Sequence, residues 1–108
     1  MNPSRIAQLE KFLEQNPNDS FVLYALATEH VNLGDDASAL NYFKKILTHD
    51  PDYTGMYYHI GKLYQRSRQN DLAEQAFLEG MKRTLGKDAH THRELQEALN
   101  QLLFDDEK

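Results

Sequence analysis

Shifting the chain against itself until Pro17 meets Pro51 brings like residues into register without a gap. At the same offset Leu23 meets Tyr57, Tyr24 meets Tyr58, Leu26 meets Ile60 and Ala27 meets Gly61. Further on, His30 pairs with Tyr64, Ala39 with Ala73, Phe43 with Phe77 and Leu47 with Met81. A period of this length is one supersecondary unit copied along the chain, and a single copy is too small to bury its own apolar face. The expected solution is to stack copies, which narrows the fold to repeat architectures before any one residue is weighed.

Within each copy the apolar residues recur at three and four, the spacing of one helical face, on either side of a short polar break. Leu23, Leu26, Ala27, His30 and Val31 predict a first helix over about 20–33, which Gly34 can close in the left-handed conformation. Asp35 or Asp36 can cap the next helix, marked by Ala39, Leu40, Phe43, Ile46 and Leu47 and ending before Pro51. The second copy repeats the plan with Tyr57, Ile60, Gly61 and Tyr64, a break at 68–70, then Leu72, Ala73, Ala76, Phe77 and Met81 up to Gly86. Asn18-Asp19-Ser20 matches a glycosylation sequon, but its position fits helix capping.

The flanks follow the same rules. Asn2 and Pro3 suit the N-cap and first position of a helix whose apolar face is Ile6, Leu9, Phe12 and Leu13. Asp88 can cap a last helix with the stripe Leu95, Ala98, Leu99, Leu102 and Leu103. The expected organisation is one domain over 1–108. It comprises a half-repeat helix at 3–16, repeats at 20–53 and 54–87, a closing helix at 88–104, and an acidic tail at 105–108 that should fray.

This pattern resembles the tetratricopeptide repeat, a helix pair that mixes large and small side chains at fixed places. Leu23, the Leu26-Ala27 pair and His30, then Tyr57, Ile60-Gly61 and Tyr64, occupy the first-helix positions of that signature. Ala39 with Phe43 and Ala73 with Phe77 occupy those of the second helix, and Pro51 ends the first unit. His30, Ile46, Gly80 and Leu85 depart from the usual residues. The resemblance implies an all-α, α-α superhelix of about six antiparallel helices, with two full repeats plus flanking helices. It also implies a non-catalytic scaffold that holds a peptide or helical segment of another protein in a concave groove lined by first helices. Carried over position by position, the groove residues are Phe21, Tyr24 and Thr28, then Tyr58, His59, Lys62 and Arg66, then His92, Arg93 and Gln96. The carboxylate clamp of chaperone-binding members finds only Arg93 at its matching places, so that specificity is not expected.

Composition narrows the partners. Twelve basic against seventeen acidic residues give a net charge of −5, which offers little attraction to nucleic acid or an anionic membrane. Charge is uneven, however: residues 1–54 carry four basic and eight acidic groups, whereas 59–93 carry seven basic and four acidic. Lys62, Arg66 and Arg93 either attract an acidic peptide or are solvated helix faces, and Tyr24 and Tyr58 are either groove anchors or covers between layers. The acidic front and basic back, with two repeats where ~3 is usual, leave homodimerisation as an alternative. No cysteine is present, no run approaches the ~18 apolar residues of a membrane span, and the first residues lack a signal peptide's apolar core. A cytoplasmic location is expected.

Chemistry finds little purchase in the sequence. His90 and His92 with Glu94 are the one metal-ligand candidate, but residues two apart on a helix diverge and no His-Glu-x-x-His spacing occurs. Phosphate loops, nucleophile elbows and dinucleotide turns are missing from the sequence. Neither enzyme activity nor a cofactor is expected. His30 is expected to be a packed ring and His59 a surface ring.

Overall fold

The computed structural model describes residues 3–105. These form six helices and, among the described residues, no strand. Backbone contacts group the chain into two compact units, Met1–Tyr53 and Thr54–Lys108, and each is built outward from its own helix pair. The expected N-cap Asn2 and the tail residues 106–108 lie outside the described residues.

The first unit holds α1 (Pro3–Gln15), α2 (Ser20–Leu33) and α3 (Asp36–His49). Its helix ends are set by short polar side chains. Asp19 Oδ1 accepts the Val22 amide at 3.1 Å, and Asp35 Oδ1 accepts the Ser38 amide at 3.2 Å. Gly34 at φ 79° turns the chain out of α2, so that the Gly34 and Asp35 amides donate to the carbonyls of Val31 and His30. Leu23, Leu26 and Ala27 of α2 and Ala39, Phe43 and Ile46 of α3 are fully buried. Ser20 Oγ donates to Asp50 Oδ2 at 2.8 Å and ties the start of α2 to the chain leaving α3.

Against this pair α1 lays Leu9, with Ile6 and Leu13 partly buried beside it, on Val22, Ala25 and Leu26. Arg5 Nε meets Glu29 Oε1 at 2.7 Å. Phe12, expected on the buried face, is 59% exposed. It stands about a quarter turn from the Ile6–Leu9–Leu13 line, too far round to reach α2.

The second unit holds α4 (Met56–Arg66), α5 (Asn70–Thr84) and α6 (Ala89–Asp105). Two glycines set its helix spacing. A Cβ on Gly61 would enter the ring of the fully buried Phe77, and one on Gly80 would stand 2.6 Å from Tyr57 Cβ and 2.8 Å from Leu95 Cδ1. Gly80 therefore lets α4 and α6 close on α5. The turn after α4 copies the one after α2, with Gln69 N donating to Tyr64 O and Arg68 N to Gln65 O. Here the left-handed residue is Arg68, at φ 62°, although a Cβ disfavours that conformation. Asp88 caps α6, accepting the Thr91 amide on Oδ1 at 3.1 Å and the Thr91 hydroxyl on Oδ2 at 2.6 Å. Leu95, Ala98, Leu99 and Leu102 are buried, but Leu103, expected in the same stripe, is 45% exposed.

Candidate functional site

The residues expected to form a groove fall into two sets, one in each unit. In the first, Phe21, Tyr24 and Thr28 share one face of α2 by their spacing of three and four. Phe21 is 69% exposed. Tyr24 is instead drawn into packing: its ring meets the edge of Phe43 at 5.9 Å between centroids and lies 5.5 Å from Tyr53. The Thr28 hydroxyl donates to Ala25 O at 3.0 Å within its own helix. This face therefore presents one exposed aromatic ring and two side chains already engaged.

The second unit is richer. Tyr58, His59 and Lys62 project together from α4. The Tyr58 and His59 rings meet edge to face, 5.8 Å apart at 86°, and Lys62 Nζ lies 5.6 Å from the centre of the Tyr58 ring, within cation–π range. His59 is half-buried rather than a surface ring. Burial, and then the positive charge of Arg66, hold its imidazole below the ordinary 6.5, with Glu94 partly opposing them. It is accordingly neutral at pH 7 and able both to donate and to accept a hydrogen bond. Arg66 is exposed at the end of the helix.

On α6 the three expected residues separate. His92 is turned toward α5, with Nδ1 3.2 Å from Thr84 Oγ1 and 3.1 Å from Met81 O, and so fastens the first turn of α6 to the end of α5. Arg93 lies on the side of α6 away from Leu95, and Gln96 is exposed. Facing α4 instead are Glu94, Glu97, Ala98 and Gln101. Together with Tyr58 they enclose a shallow pocket of about 110 Å³. Glu94, Glu97 and Gln101 are the residues that position-by-position reasoning missed. Their signal was the Leu95–Ala98–Leu102 stripe, whose α4-facing neighbours they are.

No group of three or more His, Asp or Glu side chains is placed to hold a metal ion among the described residues. His90 makes a 3.8 Å contact with Glu94 at the exposed surface, while His92 Nδ1 is engaged with α5. Among the described residues no helix is long and apolar enough to cross a membrane.

Helix pairs recurring at a fixed period, each with small residues at the close approaches and an aromatic filling the gap beside them, define a helical repeat protein. The sequence profile of the tetratricopeptide repeat matches residues 22–53 and 54–84, and the chain belongs to the tetratricopeptide repeat family. Its fold is similar to the crystal structure of a tetratricopeptide repeat domain protein from Salinibacter ruber, with a TM-score of 0.75 and 36% identity over 78% of this chain and 94% of that one. A solution structure of a Bordetella parapertussis protein superposes with a TM-score of 0.81 at 24% identity, covering 94% of this chain and 89% of that one. The crystal structure of MamA gives a TM-score of 0.66 at 17% identity, covering 94% and 67%. Both of these speak to the fold alone. Comparison with curated proteins gave no match. Members of the family are generally non-catalytic modules for protein–protein interaction.

Proposed function

We propose that this chain is a cytoplasmic protein-interaction module, one domain over 1–108, that holds a peptide or helical segment of a partner against its first-helix surfaces. The observation that carries this reading is the α4–α6 surface of the second unit, where Tyr58, His59 and Lys62 cluster beside a pocket that extends onto α6. Aromatic rings with polar groups at their edges are good anchors, because they bury large area at small entropic cost and still orient a partner.

Capture of partners on immobilised protein, followed by cross-linking mass spectrometry, tests the reading. Wild type should yield cross-links near Lys62, and Tyr58→Ala combined with Lys62→Glu should lose the partner while circular dichroism stays helical. Undiminished capture by the double variant refutes this surface.

Homo-oligomeric assembly is the second reading, favoured by the exposed apolar Leu103 and Phe104 at the end of α6. It predicts a dimer by light scattering that Leu103→Lys with Phe104→Lys returns to monomer. A wild-type monomer at high concentration and low salt refutes it.

A further inference from the structure

We infer that the α4–α6 pocket of the second unit receives a single basic side chain, an arginine in preference to a lysine, from the partner segment. The inference rests on the proposed interaction role and gives its occupant a chemistry.

The pocket's lining carries two carboxylates, Glu94 and Glu97, one carboxamide, Gln101, one aromatic ring, Tyr58, and no cation. Glu94 and Glu97 are three apart on one helix and Gln101 four further on, so all three heads lie along the same side of α6. Like charges so spaced repel each other, and a cation seated between them relieves that repulsion. Among the described residues Glu97 has no ion pair, and Glu94 has the 3.8 Å approach of the exposed His90 and an electrostatic interaction with the half-buried His59. The Tyr58 ring already attracts an ammonium, since Lys62 Nζ stands 5.6 Å from its centre. A cation seated in the pocket would share that ring with the neighbouring Lys62 ammonium.

Size and shape decide the rest. The pocket is open and shallow, about 110 Å³ in volume, with room for a guanidinium or ammonium head but not for a folded motif. Ala98 contributes only a methyl group and leaves the floor open. A guanidinium is planar, stacks on an aromatic ring and can donate to two carboxylates at once, which an ammonium cannot do with the same geometry. One head group in an open pocket is weakly held, so the remaining affinity has to come from the chain that carries it.

The test titrates the isotope-labelled protein, at low salt and followed by NMR, with the capped tripeptide Ala-Arg-Ala. Parallel titrations use its lysine, citrulline and glutamate analogues. The arginine peptide should move the signals of Tyr58, Ala98 and Gln101 with a dissociation constant of the order of millimolar. The lysine peptide should bind more weakly than the arginine peptide. Citrulline, the neutral isostere, should bind at least about 5-fold more weakly, and raising the salt should weaken the arginine and lysine peptides but not citrulline. Glu94→Gln with Glu97→Gln should cost the arginine peptide at least about 5-fold and leave citrulline unchanged. Equal binding of citrulline, tighter binding of the glutamate peptide, or shifts confined to other residues would overturn the inference. The two proposals can fail separately. If Tyr58→Ala with Lys62→Glu abolishes capture of a protein partner but the glutamine pair does not, the interaction role stands and the basic occupant is wrong. If the arginine peptide binds here while partners cross-link only elsewhere, the pocket's preference for a basic group stands, but the interaction surface and the partner segment as its source are wrong.

Discussion

Replacing Gly80 with alanine sets two terms of opposite sign against each other. Alanine is the better helix former by about 1 kcal/mol at an interior position, so sequence considerations alone give a stabilised variant. The structure gives the reverse. The added methyl would stand 2.6 Å from Tyr57 Cβ, 2.8 Å from Leu95 Cδ1 and 3.0 Å from Tyr57 Cγ. Tyr57 Cβ is one bond from the α4 backbone and cannot swing aside, and both Tyr57 and Leu95 are fully buried. The end of α5 is tied to α6 by the 3.2 Å contact of Thr84 Oγ1 with His92 Nδ1, which opposes its moving away. Overpacking of this kind costs about 1–3 kcal/mol; three contacts with two anchored neighbours place it in the upper half, for a net loss of about 1–2 kcal/mol. The melting temperature should fall by roughly 4–16 °C, at roughly 4–8 °C per kcal/mol for a domain of this size. Urea and thermal unfolding followed by circular dichroism read the sign directly, and hydrogen exchange should place the loosening in α4 and α6. An unchanged or higher midpoint would show that the helices do not close on Gly80 as described.

Arg68→Gly should stabilise the protein by about 0.5–1 kcal/mol, because glycine relieves the left-handed backbone at the α4–α5 turn; urea midpoints check it. Phe77→Ala removes a fully buried ring from beside Gly61 and should cost about 3–5 kcal/mol in the same assay. Thr84→Val removes the buried hydroxyl that meets Gly80 O and His92 Nδ1. The expected loss is about 1 kcal/mol, with faster hydrogen exchange in the first turn of α6. The Asp88 carboxyl is held below its ordinary 3.8, first by the hydrogen bonds from Thr91. Its stabilising effect is therefore present above that value and is lost as pH falls through the lowered one. Asp88→Asn should flatten the fall of the urea midpoint with acidification below about pH 4.

Most of the fold could be read from the sequence because its determinants are local and repeated. The helix ends lie at residues whose chemistry fixes them, Asp19, Gly34, Asp35 and Asp88, and the helix faces follow from spacing alone. Phe12 and Leu103 were misplaced for one shared reason. Each is apolar and borders a buried stripe, but a terminal helix has a neighbour on one side only, so an apolar residue a quarter turn off stays in solvent. Arg68 carried no left-handed signal of its own, yet it occupies in the second repeat the place that Gly34 holds in the first, and the repeat period foretells the turn that the residue type conceals.

The candidate site was less legible because the repeat period was carried one helix too far. One further period from Tyr58, His59 and Lys62 lands on His92, Arg93 and Gln96, which assumes that α6 presents the same face as α4. The buried residues say otherwise. Tyr57, Ile60 and Gly61 of α4 correspond to Leu95, Ala98 and Leu99 of α6, each four positions beyond where the period would place them. That is a slip of one helical turn plus about 40° of rotation. The slip sends His92 to the α5 side and brings Glu94 and Glu97 round to face Tyr58. A surface that reads as basic on the strict repeat period thereby gains a pocket lined by two carboxylates, and the basic occupant proposed for it follows from that rotation rather than from the composition of residues 59–93.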